Sequence, residues 1–369
     1  MKEVLIVGSG VSAWSAAIVF AKKNIKVRVL SKNDEVFGAQ QLSPSGFNYL
    51  NELIDKNFVK KNVEKILQVK ITSINKNKFT VLTNFNLQEK FNTYNSISRR
   101  VLIKLLKESA QKNNNIEVIN EKANFLLKKN TQSIQVLTCK GNILESDLII
   151  GADGQNGICR KYVCGSDKKN LKKIFRLVIE DNKLHILSKN LLQIFLSDKG
   201  HFVVYPFNIN NKKFVNYVFV PNKSFEEISN SNNIPQYHPL IKVSGWKMSL
   251  INKNTEIKNN FWKNNLLLFG DAAFPIEPHL AQGGNQIFKD AVFLKKNLTK
   301  SNKIEDIVQK FLDERIEEKI SLQNKASIFG KILGFQNILS LSRNLFISKY
   351  SKKFINDFFE PIWNNNVDS

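Results

Sequence analysis

Residues 2–32 read KEVLIVGSGVSAWSAAIVFAKKNIKVRVLSK. The opening apolar run Val4–Val7 lacks polar alternation, the pattern of a strand buried on both faces of a parallel sheet. Gly8-Ser9-Gly10-Val11-Ser12-Ala13 interrupts it as GxGxxA, and a helical stretch leads to a second strand ending in Leu30-Ser31-Lys32. Strand, glycine turn, helix and strand form one βαβ unit, in which each small residue has its own task. Gly8 permits the tight turn, Gly10 lets the backbone approach a pyrophosphate, and Ala13 lets the helix sit close to the strand. Val11 and Ser12, at the helix start, bring N–H donors and the positive end of the dipole. The stretch predicts a dinucleotide site at the start of an α/β fold.

Two later stretches extend the same sheet. Leu148–Ala152 is an apolar strand running into Gly151-Ala152-Asp153-Gly154, with Cys159-Arg160 shortly after, and Leu266–Phe269 runs into Gly270-Asp271-Ala272-Ala273. Carboxylates at the carboxyl ends of such strands sit where ligands bind in doubly wound sheets. Asp271 is suited to accept hydrogen bonds from a polyol, and Gly283-Gly284-Asn285 opens a helix ending near Leu298. Between these stretches the period falls to two. Ile66–Ile74 and Phe79–Thr83 predict an antiparallel hairpin, and Leu192–Leu196, His201–Tyr205 and Phe214–Val220 predict a second sheet. Arg99, Leu102, Leu105 and Leu106 have helical spacing, and Lys140–Asn142 reads as a hairpin turn leading into Leu148–Ala152.

With 369 residues the chain exceeds one small core, and 42% hydrophobic and 10% aromatic content marks a globular protein. Its 55 Lys and Arg against 32 Asp and Glu give a net charge of +23. The cations are scattered as singles and pairs with no groove-reading module, so no specific nucleic acid partner is expected. The three cysteines form no CxxC or zinc-type cluster, which predicts no metal site and fits a reducing, cytoplasmic setting. No apolar run reaches the length of a membrane span, and the N-terminus lacks a signal-type core.

Taken in order, these motifs resemble the group A flavoprotein aromatic hydroxylases, FAD-dependent monooxygenases, and most of all their salicylate-hydroxylase-like branch. Gly38-Ala39-Gln40-Gln41-Leu42-Ser43-Pro44, the Arg99 helix, His201–Pro206, Asn216–Val218 and Ala326–Gly330 are similar to stretches of that branch. The resemblance implies a Rossmann-like FAD-binding domain interleaved with a mixed β-sheet substrate domain and followed by C-terminal helices. The divisions expected are 1–171 for the FAD domain with a hairpin inserted at about 66–96, then 172–258 for the substrate sheet. The FAD domain resumes at 259–300, and a helical segment covers 301–369. By resemblance Arg99 contacts the flavin, while Asp153, Gly154 and Arg160 serve FAD and NAD(P)H. Gly270 and Asp271 hold the ribityl region, and Gly283, Gly284 and Asn285 face the flavin pyrimidine edge. Ser31 and Lys32 stand beside the adenosine ribose, with Ser31 where the family carries an acid. A lost charge-assisted bond predicts FAD held more weakly by about 1–2 kcal/mol. Phe274 replaces the histidine that normally follows GDAA.

The activity implied uses NADH or NADPH to reduce FAD, lets O2 add at the flavin C4a position, and passes a hydroxyl to an electron-rich aromatic ring. Pro278 is implied to face that ring with its carbonyl. His201 is the expected base for a phenolic proton, and Tyr205, Tyr217 and His279 are the expected substrate contacts. The substrate is a phenol or aromatic acid. The alternatives are ring hydroxylation in ubiquinone biosynthesis, or a flavin-binding NAD(P)H oxidase or reductase without hydroxylation. Ile332–Phe359 mixes apolar residues with Arg343, Lys349, Lys352 and Lys353. The expectation there is a helix packing its apolar face on the FAD domain, with peripheral membrane contact as the alternative. The chain is expected to be a monomer or homodimer.

Overall fold

The computed structural model describes residues 1–32, 36–75, 78–89, 93–165, 171–181, 190–222, 245–252, 261–298, 303–354 and 359–363. The Asn-rich stretches 230–233 and 364–366, whose composition suggests a short loop and a tail, lie outside them. The helices are α1 (Val11–Lys22), α2 (Pro44–Leu53), α3 (Lys56–Asn62), α4 (Arg99–Gln111), α5 (Ile158–Cys164), α6 (Gly283–Asn297), α7 (Ile304–Leu333), α8 (Asn337–Phe354) and α9 (Glu360–Trp363).

The first sheet runs Trp262–Lys263, Leu266–Leu268, Leu148–Gly151, Glu3–Val7, Lys26–Leu30, Ile116–Ile119, all parallel except its first pair. Val4 pairs with Leu148 on one side and Val27 on the other. Val4, Leu5, Ile6, Ile149 and Ile150 are wholly buried, which is why these strands read as unbroken apolar runs. Helices α1, α4 and α6 pack together against this core. A three-stranded antiparallel sheet (Ala123–Lys128, Ile134–Thr138, Ile143–Leu144) contributes Ala123, Ile134 and Val136 to it. The turn at Lys140–Asn142 therefore closes into Ile143–Leu144, and not into Leu148–Ala152 as its spacing suggested. Its Gly141 has a φ of +86°.

The second sheet has seven strands in the order Lys247–Asn252, Leu171–Glu180, Lys212–Pro221, Gly200–Ile209, Leu191–Ser197, Gln68–Asn75, Lys78–Asn86. The last two are the expected hairpin, joined to this sheet by parallel pairing of Gln68–Asn75 with Leu191–Ser197. Alternation divides the sheet's side chains. Phe175, Phe202, Val204, Tyr217 and Phe219 share one cluster, while His201, Val203, Tyr205, Val218 and Val220 face a cavity. A small sheet of Ala39–Leu42, Asn95–Ser98 and Glu64–Lys65 ties the lobes together. Tyr205 donates its hydroxyl to the Ala39 carbonyl at 3.0 Å, and Asn216 Oδ1 accepts from the Ala39 N–H at 3.2 Å.

The C-terminal helices depart from expectation. In α8 the residues turned inward are Arg343 and Ile347, while Ile338, Leu339, Leu341 and Leu345 are exposed. The helix thus packs against Lys78–Asn86 of the second sheet, whereas the sequence reading packs its apolar face on the FAD domain. Arg343 is held because its guanidinium donates to the carbonyls of Leu333 (2.7 Å) and Phe335 (3.1 Å), the open end of α7.

A candidate cofactor and substrate site

One continuous cavity of about 1490 Å³ lies between the two sheets and the C-terminal helices. That exceeds the roughly 300–1,000 Å³ of a single small-molecule site, so it has room for a cofactor and a second ligand. Gly8, Ser9, Gly10, Val11, Ser12 and Lys32 form one end of it. The turn is there because Gly8 has a φ of +142° and a Cβ would stand 2.3 Å from the Ala152 carbonyl oxygen. A Cβ on Gly10 would meet nothing within 4 Å, so the space before the turn is open. Trp14 Nε1 donates to the Ser9 carbonyl at 3.1 Å and pins the loop. Ala13 and Ser31 are buried behind this wall, off the cavity surface. Ser31 uses its N–H on the Ile119 carbonyl at 3.0 Å. Glu121 and Lys122, which the sequence reading passed over, line this end instead.

Asp153 and Gly154 lie on the cavity, but the Asp153 carboxylate is committed to the start of α5, accepting from the Cys159 N–H at 3.0 Å. Burial raises its pKa, opposed by such hydrogen bonds. Arg160 is buried and donates to the carbonyls of Ala272 (2.8 Å) and Ala273 (3.1 Å), so it braces the Asp271 turn from behind. Gly270 (φ +64°) lets that turn approach α1, where a Cβ would strike Ser12 Oγ. Asp271 itself faces the cavity; enclosure raises its pKa, and Arg99, Lys319 and Arg176 pull it down. Arg99 and Arg176 both line the cavity, and burial with the Arg99 charge lowers Arg176 to about 10. Arg176 was missed because an arginine within an apolar strand carries no local signal of which face it takes.

Gly283 and Gly284 line the cavity at the start of α6, and the preceding Gln282 makes no side-chain cap. Gly10 likewise precedes α1 without a side-chain cap. Two long helices thus point uncapped N–H groups into one cavity, the arrangement that suits a pyrophosphate at one end and an anionic ring edge at the other. Gln40 also lines the wall, and its buried Nε2 has no hydrogen-bond partner among the described residues. These open donors fit FAD. Asn285 is turned away: it donates to the Ala281 carbonyl at 2.9 Å and lies against Gly46, so it supports the turn and is not on the wall. Phe274 is likewise off the cavity, stacked on Phe311 at 5.4 Å beside Phe261.

Beyond the cofactor end the wall is apolar, with Val69, Ile71, Leu192, Ile194, Val203, Phe329 and Trp363. Its polar lining includes His201, His279, Tyr205, Tyr94, Arg343 and Pro278. His201 is buried, and neither ring nitrogen has a hydrogen-bond partner among the described residues. Burial, then the charges of His279, Lys172 and Arg343, hold its pKa well below the usual value. Its ring centroid is 5.2 Å from that of His279, whose Nε2 is 3.1 Å from Glu277 Oε2 and 3.5 Å from Lys172 Nζ. Burial lowers His279 too, with Glu277 opposing. The Tyr205 hydroxyl is spent on Ala39, and burial pushes its pKa up to about 12. The Pro278 carbonyl accepts from the Ala281 N–H at 3.1 Å, which leaves one lone pair for a ligand. Tyr217 is not brought to the site. It pairs with Val204 and Leu177 on the opposite face, one residue out of phase with cavity-lining Val218.

A Gly-rich turn and a second uncapped helix start, both opening on one cavity beneath a mixed sheet, fit a flavoprotein. Residues 1–303 match the family described as FAD binding domain. The chain belongs to that family, and it is an FAD-dependent monooxygenase of the group A aromatic-hydroxylase type. It is 23% identical to a 3-hydroxybenzoate 6-hydroxylase of Polaromonas naphthalenivorans (strain CJ2) over 92% of this chain and 90% of that protein. A 3-hydroxybenzoate 6-hydroxylase 1 of Aquipseudomonas alcaligenes is 25% identical over 79% of each chain. In fold it is similar to Klebsiella pneumoniae HpxO complexed with FAD and uric acid, with a TM-score of 0.79 at 15% identity over 98% of this chain and 96% of the other. A salicylate hydroxylase substrate complex gives a TM-score of 0.74 at 16% identity, covering 99% and 96%. Among the described residues no helix is long and apolar enough to cross a membrane.

Proposed function

We propose that the chain hydroxylates a phenol bearing an apolar substituent, and not a bare aromatic acid. The observation that carries this reading is the long apolar end of the cavity. A small carboxylate substrate calls for cations converging where it sits, whereas Arg99 and Arg176 cluster with Asp271 at the cofactor end. Arg343 reaches the apolar end, but its guanidinium is used on the α7 carbonyls. The relatives named 3-hydroxybenzoate 6-hydroxylase support a phenolic ring as the reacting group. A phenol with a hydrocarbon chain is the chemistry of a quinone precursor.

When bound, FAD supplies oxidation of NADH or NADPH and activation of O2; the chain's own residues do the rest. The starts of α1 and α6 hold the cofactor's anionic groups, with Gly8, Gly10, Val11 and Ser12 at one and Gly283 and Gly284 at the other. Asp271 accepts from its polyol, Arg99 offsets its charge, and Lys32 lies at the adenosine end. Asp153 with Gly154, and Arg160 with Gly270, shape the turns that frame it; Ala13, Ser31 and Asn285 act from behind the wall. His201 is neutral at pH 7 and takes the phenolic proton at a ring nitrogen, which raises the ring's electron density. His279, paired with Glu277, turns its ring toward His201, and the apolar walls exclude water. Tyr205 orients the start of the Ala39–Leu42 strand, and the Pro278 carbonyl borders the ring.

The test is NAD(P)H oxidation and product formation with a series of phenols carrying alkyl chains of increasing length. KM should fall roughly fourfold per methylene, from about 0.8 kcal/mol each, until the cavity is filled. A higher kcat/KM for 3-hydroxybenzoate than for every alkylated phenol would refute the reading.

A further inference from the structure

Helix α8 shows solvent a face that a soluble helix normally hides. Ile338 is 78% exposed, Leu345 71%, Leu341 60% and Leu339 58%, and Phe346 is half exposed on the same side. At 100° per residue, positions 338, 341, 342, 345, 346 and 349 fall on one face, so these side chains form a stripe with Lys349 at its end. The strand that α8 packs against exposes Phe79 and Val81 as well. Scattered apolar side chains on a surface need no explanation, but a contiguous stripe does.

The charge around the stripe is of one sign. No acidic residue occurs between Glu318 and Asp357, and Lys331, Lys349 and Lys353 in that interval are exposed, while Lys319 and Arg343 are buried and add nothing to the surface charge. The hairpin strands Gln68–Asn75 and Lys78–Asn86 carry Lys70 and Lys78 and again no acid. A second copy of a chain with net charge +23 would bring like charges together at this face. An anionic lipid surface instead takes the apolar stripe into the headgroup boundary and the lysines onto its phosphates. Phe346 links the face to the site, since it is half exposed outside and also lines the cavity with Ile347.

We propose that the outward face of α8, with Phe79 and Val81, is a docking surface for an anionic lipid bilayer that sets the apolar end of the cavity against the membrane. The proposal deepens the reading of an apolar-chain phenol as substrate, because such a molecule partitions into lipid, but its test needs no substrate. The holoprotein is floated with phosphatidylcholine vesicles and with vesicles containing phosphatidylglycerol. It should co-migrate with the anionic vesicles and lose at least tenfold in bound fraction with neutral ones, and high salt should weaken the binding. The double variant Ile338→Glu, Leu345→Glu changes two side chains off the cavity wall. It should stay with the soluble fraction while keeping its flavin spectrum and its basal NAD(P)H oxidation.

Absence of wild-type flotation overturns the proposal, as does equal flotation of the double variant, which would mean diffuse charge alone. A dimer in light scattering that the double variant dissolves also overturns it, because the face would then serve a second copy. Flotation together with a preference for small aromatic acids would reject the substrate reading and leave the docking surface intact.

Discussion

At the scale of single residues, His201 is the test of the chemistry. Its ring is buried with both nitrogens unpaired, so His201→Asn removes a proton acceptor without opening a large void. The expected loss is about a hundredfold in kcat, and it should shrink for phenols already ionised at the assay pH. Equal loss across phenols of all acidities would reduce His201 to a packing residue. The same group enters stability through its protons. Its folded pKa lies below the unfolded value of about 6.5, so below that pH the unfolded chain binds a proton that the folded chain refuses. Stability therefore falls as pH drops through 6.5 and keeps falling until the folded pKa is reached. Asp153 and Asp271, with raised folded values, act in the opposite sense, so the His201 contribution is read as a difference. Between pH 7.5 and 5.5 the Tm of His201→Phe should decline less steeply than that of the wild type. Identical slopes would refute it.

At the scale of elements, the cavity wall made by the start of α6 depends on what anchors α6 to α7. Asp290 of α6 is buried and accepts from Arg315 Nη2 at 2.9 Å and from Lys319 Nζ at 2.6 Å. Burial lowers Lys319 to about 8, opposed by the Asp290 charge. Arg315 keeps its pairing with Glu318, but removing the carboxylate leaves the buried Lys319 ammonium without its ion-pair partner, so Asp290→Asn should cost about 3–5 kcal/mol in urea denaturation of the apoprotein. A change under 1 kcal/mol would mean that water enters the α6–α7 seam. Elements of this kind were legible in sequence where one signal sufficed. The Gly8 turn, the runs at Leu148 and Leu266 and the start of α6 are local patterns, and the structure has them where they were read. What failed needed a neighbour. Tyr205 and Tyr217 look alike in sequence, but the pairing of Tyr217 with Val204 puts it on the far face. The Lys140–Asn142 turn was paired with the wrong strand because two apolar stretches follow it and only the closer one is antiparallel. In α8 the apolar stripe was legible, but whether protein covers it depends on the fold around it.

At the scale of the molecule, two sheets meet across a cavity whose cofactor end carries unmet donors. Folding therefore leaves a binding free energy to be taken up by FAD, which should stabilise the whole chain. At FAD a hundredfold above its Kd the gain is about 2.7 kcal/mol, a rise in Tm on the order of 5 °C. Adenosine diphosphate reaches only the Gly8–Ser12 end and should give a smaller rise, because the start of α6 stays uncapped. The Kd itself should lie above the low nanomolar range, since Ser31 sits behind the wall and offers no carboxylate to the ribose. Low nanomolar affinity would point to Glu121, which lines the same end of the cavity from the neighbouring strand's exit and is already held ionised by its bonds from Thr138 and Asn142. Glu121→Gln would then weaken FAD about tenfold, the cost of turning a charge-assisted hydrogen bond into a neutral one. If FAD and adenosine diphosphate raised Tm equally, α6 would contribute nothing to cofactor binding. The uncapped N–H groups of Gly283 and Gly284 would then be solvated, and the flavin end of the assignment would fall while the Gly8 turn stood.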